Sequence, residues 1–203
     1  MGEMNLVSII VPTYNRLDFL QRCVESIRTH TSDVPYQLIV VDNASSDGTS
    51  EWCIRQKIPF LSLPHPERFC AACDIGFRMA DGDTFLLMKH DTVVTPNWLR
   101  NLVTALYSQP DIGIVGPVSN RAGGSQHVDY PFQDLDEFQR IAAVVNVSDS
   151  TRWKEVKHVE SFCLAFRREV MDRIGHGDDY GLQARKAGYK LVVCHDVLLY
   201  HEG

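Results

Sequence analysis

No apolar run in this 203-residue sequence approaches the roughly 20 residues that cross a bilayer. The longest early run, Val7 to Val11, is strand-sized. No basic segment followed by a long apolar one precedes it, so no secretory signal is expected. Basic residues are also short: 20 Lys and Arg face 26 Asp and Glu, for a net charge of -6. A duplex-binding protein usually presents a basic face, so nucleic acid is not the expected partner. No Gly-x-Gly-x-x-Gly follows the first apolar run, and no Gly-Lys-Ser/Thr loop exists. Dinucleotide dehydrogenases and P-loop enzymes are therefore disfavoured. A bound phosphate would need another partner for its charge, such as a metal ion. The six cysteines are scattered and sit mostly inside apolar runs, as buried thiols do in a reducing compartment. What remains is ordinary globular usage, 44% hydrophobic and 23% charged, which excludes a wholly disordered, collagenous or coiled-coil chain.

The first half alternates strand-like and helix-like segments. Leu6–Val11, Gln37–Val41, Phe60–Leu63, Thr84–Met88 and Ile112–Val115 read as buried strands. Between them, Leu17, Leu20, Cys23, Val24 and Ile27 recur at helical spacing, as do Phe69, Ala72, Cys73, Gly76 and Phe77. Ser45–Thr49 offers caps for a second helix. Thr95-Pro96 reads as a helix start with Thr as cap, ahead of the stripe Trp98, Leu99, Leu102 and Leu106. The alternation predicts an α/β fold with a mostly parallel sheet covered on both faces. Such sheets bind ligands at the carboxyl ends of their strands. The second half is less regular. Residues 120–136 read as a mobile loop, 135–145 as a helix, 148–159 as a polar loop and Ser161–Phe166 as a strand feeding a helix. A helix from about Asp179 to Lys186 and two strands, 190–193 and 197–200, close the chain. One domain is expected over 1–203, with a regular half over 1–117 and a less regular half over 118–203.

Several strand ends carry groups with two readings. Asp42 can accept from a base or ribose, or it can form the Asx-turn that opens the next helix. Asp91 suits a Mg²⁺ or Mn²⁺ site completed by phosphate oxygens and water, or it is a turn residue. His90 and His201 are possible ligands or solvated groups. The pair Asp178-Asp179 is a general base, or an N-cap. Cys70-Ala-Ala-Cys73 has redox-pair spacing, but Cys73 falls on the apolar helix face. Trp153 either stacks on a sugar or covers a core edge.

The ordered motifs Val7–Arg16, Val40–Thr49, Phe69–Gly76, Lys89–Leu99, Gly116–Asn120, Arg185–Lys190 and Tyr200-His201 resemble those of glycosyltransferase family 2, which has the GT-A fold. The resemblance runs nearly the whole length. It implies a Rossmann-like central sheet flanked by helices, with 1–117 as the nucleotide-binding half and 118–203 as a less regular C-terminal acceptor and catalytic half. It implies an inverting hexosyltransferase of polysaccharide biosynthesis with a nucleotide-diphosphate sugar donor. The expected base is uracil, with thymine and guanine open, and the acceptor is a glycan, lipid-linked or protein hydroxyl. By position, Pro12, Thr13, Tyr14, Arg16, Asp42, Arg68 and Asp74 fall in the donor nucleotide set. Asp91 and His201 fall on Mn²⁺ or Mg²⁺, and Asp178 or Asp179 on the catalytic base.

Three features depart from the family pattern. Lys89 stands where Asp or Asn is usual in the acidic motif, and Asp74 where Asn is common. His176-Gly177 occupies the place of the family's Glu-Asp, with Asp179 on the last acidic position. These departures motivate an alternative: a degenerate family member that binds nucleotide or sugar without turnover. A cytoplasmic protein, peripheral to the membrane at most, is expected, and Gly203 follows so soon after His201 that a truncated catalytic domain stays open.

Overall fold

The computed structural model describes residues 6–203 except His176 and Asp178. The first half forms β1 (Val7–Thr13), α1 (Leu17–His30), β2 (Tyr36–Asp42), α2 (Thr49–Gln56), β3 (Phe60–Ser62), α3 (Phe69–Phe77) and β4 (Thr84–Met88). It continues through β5 (Thr92–Val93), α4 (Trp98–Leu106) and β6 (Ile112–Ser119). The second half adds α5 (Leu135–Val145), β7 (Trp153–Val156), β8 (Cys163–Arg167), α6 (Arg168–Ile174), α7 (Tyr180–Lys186) and β9 (Lys190–His201). Strands lie in the order β3-β2-β1-β4-β8-β6-β9-β5, with β7 also paired to β9. Among the described residues no helix is long and apolar enough to cross a membrane.

The strands are apolar on both faces because both are covered. Val7, Ile9 and Val11 of β1 point into one core with Leu20, Val24 and Ile27 of α1 and Leu102 of α4. Ile10 points into the other, with Ala72, Cys73 and Phe77 of α3 and Phe138 of α5. The same alternation of successive residues runs through β2, β4 and β9, as a pleated strand between two helical layers requires. Gly76 lets α3 lie close on the sheet: a Cβ there would stand 2.5 Å from Ile10 Cγ2.

The sheet is parallel through β3-β2-β1-β4, as the alternation predicts. Strand β8 then enters antiparallel to both β4 and β6. Residues just before β8 thus reach the same sheet edge as residues just after β4, and this reversal positions much of the site.

Four local expectations need correction. The segment 148–159 is not all loop, because β7 pairs antiparallel with β9 from Trp153↔Cys194 to Val156↔Leu191. The two closing strands are one irregular strand, which jumps register between Pro117↔Cys194 and Val118↔Leu198. Thr95 does not cap α4; its hydroxyl donates to the Leu198 carbonyl at 2.6 Å, and the helix begins three residues on at Trp98. The loop after β6 is anchored: Gln126 is buried, donates to the Pro117 carbonyl and accepts from Glu160 N.

Candidate active site

The loops after β1 and β2 are knitted into one floor. Asn15 N donates to Ser45 Oγ at 3.0 Å, and Ser46 N donates to Asn15 Oδ1 at 2.8 Å. Asp47 serves two helix starts at once: Oδ2 accepts from Leu17 N of α1 and Oδ1 from Thr49 N and Oγ1 of α2. Polar residues in these motifs therefore satisfy backbone donors that would otherwise be orphaned at helix N-termini.

On this floor lies a cleft of about 290 Å³ lined by Pro12, Thr13, Tyr14, Asn43, Phe69, Ala72, Lys89, His90 and Asp91. Thr13 is 2% exposed, and its hydroxyl Oγ1 has no hydrogen-bond partner. A buried hydroxyl left unpaired needs an explanation, and this one borders the cleft. His90 Nδ1 sits 3.2 Å from the Pro12 carbonyl, and burial pushes its imidazole pKa down.

The donor-set candidates divide. Pro12, Thr13 and Tyr14 line this cleft. Asp42 does not; it is fully buried, accepting from Ser45 N at 3.0 Å and from the Ser50 hydroxyl at 2.5 Å. Its carboxylate holds the turn into α2, the second of its two readings. Arg16 turns to solvent, paired with Asp18 and lying 3.3 Å over the Phe19 ring. Arg68 is exposed at the start of α3. Asp74 faces the other way and accepts from the Tyr180 hydroxyl at 2.7 Å, tying α3 to α7. Asn43, which directly follows the Asp42 strand end, joins Pro12, Thr13 and Tyr14 as a lining residue.

Asp91 and His201 do meet. Pairing of β5 with β9 sets Thr92 opposite His201 and brings His201 Nε2 to 3.3 Å from Asp91 Oδ1. His201 is held by Asn120, which bonds its N–H and C=O, and by stacking on Phe162 with centroids 5.1 Å apart. Its Nδ1 lies 3.2 Å from the Arg121 carbonyl. Neither Asp91 Oδ1 nor His201 Nε2 has a hydrogen-bond partner. Burial raises the Asp91 pKa, but the His201 imidazole and the charges of His90 and Lys89 outweigh it, leaving the carboxyl below its usual range. The pair thus offers one ionised oxygen and one imidazole nitrogen to a divalent ion. Among the described residues no third His, Cys, Asp or Glu joins them, so such an ion would complete its shell from ligand oxygens and water.

A second cleft of about 310 Å³ adjoins the first, and both are lined by Phe69 and Lys89. Its other walls include His158, Glu160, Ser161 and Phe162, just before β8, and Asp179, Tyr180 and Gly181. Asp179 caps α7, accepting from Leu182 N at 2.8 Å through Oδ1. Glu160 accepts from Gly123 N at 2.8 Å. Asp178 lies outside the described residues. The 158–162 wall was not expected to be functional, because its position depends on the antiparallel β8. Cys70 lines this cleft while Cys73 is buried, its thiol pKa pushed up by burial, the reverse of the lowered pKa of a reactive thiol. Trp153 lies outside both clefts and donates to the Asp196 carboxylate.

The sequence matches the family described as Glycosyl transferase family 2 over residues 8–175. It is 27% identical over 221 aligned residues to the O-antigen biosynthesis protein RfbC of Myxococcus xanthus, covering 96% of this chain but only 17% of that protein. Its fold superposes on the mannosyltransferase PcManGT of Pyrobaculum calidifontis, determined with GDP-Man and Mn²⁺. That TM-score is 0.74 at 23% identity, over 98% of this chain and 57% of the other. It also superposes on GalNAc-T7, determined with UDP, GalNAc and Mn²⁺, with a TM-score of 0.76 at 15% identity over 98% and 43%. The architecture is the GT-A fold expected from the motifs.

Proposed function

Since the chain belongs to glycosyl transferase family 2, we propose that it moves a sugar from a nucleotide-diphosphate donor to an acceptor hydroxyl in polysaccharide assembly, with inversion. The observation that carries this reading is the pair of adjoining clefts that meet at Phe69 and Lys89. One is built from the carboxyl ends of β1, β2 and β4, where open α/β sheets take nucleotides. The other holds carboxylates suited to an acceptor. A mannosyltransferase with GDP-Man and a second transferase with UDP share the fold, so guanine and uracil are both candidate bases.

In this reading Pro12, Thr13, Tyr14 and Asn43 receive the nucleoside, with the unpaired Thr13 hydroxyl donating or accepting a bond. Asp91 and His201 would hold a Mn²⁺ or Mg²⁺ ion. When bound, that ion supplies positive charge against the charge that grows on the leaving diphosphate. The acceptor oxygen attacks the anomeric carbon from the face opposite the diphosphate. The new C–O bond forms as the old one breaks, and the configuration inverts. The acceptor hydroxyl's proton passes to Asp179, whose capping bond occupies Oδ1.

Calorimetric titration of UDP, dTDP and GDP, each with and without Mn²⁺, tests the donor site, and transfer from the matching sugar nucleotide to oligosaccharide acceptors tests the reaction. One nucleotide should bind more tightly with Mn²⁺. No binding by folded protein overturns the reading, and binding without transfer to any acceptor returns the chain to a degenerate binding module.

A further inference from the structure

Among the described residues, Lys89 is the single cationic side chain that lines both clefts. Its backbone is pinned on two sides: Lys89 N donates to the Phe162 carbonyl at 2.9 Å, and its carbonyl accepts from Thr92 N at 3.2 Å. The root of the side chain is thus fixed between the end of β4 and the start of β8. The side chain is half-buried, yet no carboxylate or carbonyl among the described residues accepts from its ammonium group. Asp91, two residues on, is near enough for the Lys89 charge to act on it, but the Asp91 carboxylate is turned to His201. An ammonium group lining a cleft with no such partner is available to donate charge-assisted hydrogen bonds to an anionic ligand.

The position gives that ligand its place. A donor with its nucleoside in the first cleft and its sugar directed toward the second must carry its diphosphate past the wall they share. Glu160 and Asp179 line only the second cleft, so Lys89 is the positive group at the wall the two clefts share. An acidic residue here would repel a bare diphosphate and depend on a cation to reverse its field. A lysine attracts the diphosphate directly.

Resting on the donor-site reading above, we infer that Lys89 donates to the donor diphosphate and shares its charge compensation with the ion held at Asp91 and His201. Nucleotide binding by this chain therefore keeps a component that survives removal of the metal.

The test is calorimetric titration of GDP and UDP into the whole chain, in EDTA and in Mn²⁺, for wild type, Lys89→Gln and Lys89→Arg. Wild type should bind in EDTA, more weakly than in Mn²⁺. Lys89→Gln should lose about tenfold or more of the EDTA affinity, the size of one hydrogen bond to a charged group. Lys89→Arg should keep most of it. Wild-type binding that EDTA abolishes, or Lys89→Gln binding equal to wild type in EDTA, overturns the inference and leaves the donor site standing. Absence of wild-type binding under both conditions overturns the donor-site reading, and this inference with it.

Discussion

The Asp91 carboxylate and the His201 imidazole face one another at 3.3 Å, each with the facing atom unsatisfied by any hydrogen bond. The approach is built in by pairing of β5 with β9 and by the Glu202 N–H bond to the Asp91 carbonyl. In the proposed reading, these two facing atoms, which make no hydrogen bond of their own, share a metal ion. Asp91→Asn removes the anionic donor. The increase in nucleotide affinity that Mn²⁺ gives the wild type should disappear in this variant when measured by calorimetry. A retained increment would place the ion on other residues.

A partner prediction concerns His201, which Phe162 and Asn120 orient. His201→Ala should weaken the Mn²⁺ increment without removing it, because Asp91 keeps the charge. The loss of one neutral nitrogen donor should be about tenfold to a hundredfold in metal affinity, comparable with the loss of groups that orient metal ligands. Titration of Mn²⁺ at saturating nucleotide measures it, and an unchanged affinity would remove His201 from the site.

The parallel half of the fold was legible because apolar runs and helical stripes alternate without interruption from Val7 to Leu106. The residues after β1 and β4 were legible for the same reason, since strand carboxyl ends gather at one edge. The wall at His158–Phe162 was not. It reaches that edge only because β8 runs antiparallel, and strand direction leaves no trace in hydrophobic periodicity. Asp42 shows the reverse failure. Its place at a strand end is as expected, but which way its carboxylate turns depends on Ser45, Ser50 and Ser62, which compete for it. The join of residues 190–193 to 197–200 was hidden because His195-Asp196 interrupts the apolar run while β9 continues through a register jump.

Gly76 sets the distance between α3 and the sheet. Gly76→Val would place side-chain atoms against Ile10 and Val41, where a Cβ alone already meets contacts of 2.5 and 3.0 Å. Overpacking of this kind costs about 1–3 kcal/mol. Urea denaturation should show a lowered midpoint, and a midpoint within error of wild type would mean that α3 shifts freely. Because α3 also carries Phe69 and Ala72 into the nucleotide cleft, nucleotide affinity should fall in parallel.

Asp42→Ala separates a scaffold role from a ligand role. It would leave the half-buried Ser45 N–H and Ser50 hydroxyl without their acceptor, at a cost of about 1–3 kcal/mol for hydrogen bonds to a charged group. Stability should fall by that amount in chemical denaturation. Residual folded protein should bind nucleotide with affinity within a few-fold of wild type. A large affinity loss at unchanged stability would assign Asp42 to the ligand.

Asp179 poses the same question in the acceptor cleft, and there the cap supplies the control. Asn caps helices about as well as Asp, so Asp179→Asn should keep the bond to Leu182 N and leave stability nearly unchanged. Asp179→Ala should lose about 1 kcal/mol with the cap. Neither substitution touches the nucleotide cleft, so calorimetric affinity for GDP or UDP should hold in both. If the carboxylate takes the acceptor proton, both variants should slow transfer by about 10² to 10⁴-fold, the usual range for a positioned base. Turnover at the wild-type rate in the well-folded Asn variant would show that Asp179 only caps α7. Proton removal would then fall to another carboxylate of the cleft, and Glu160→Gln is the substitution that would reveal it.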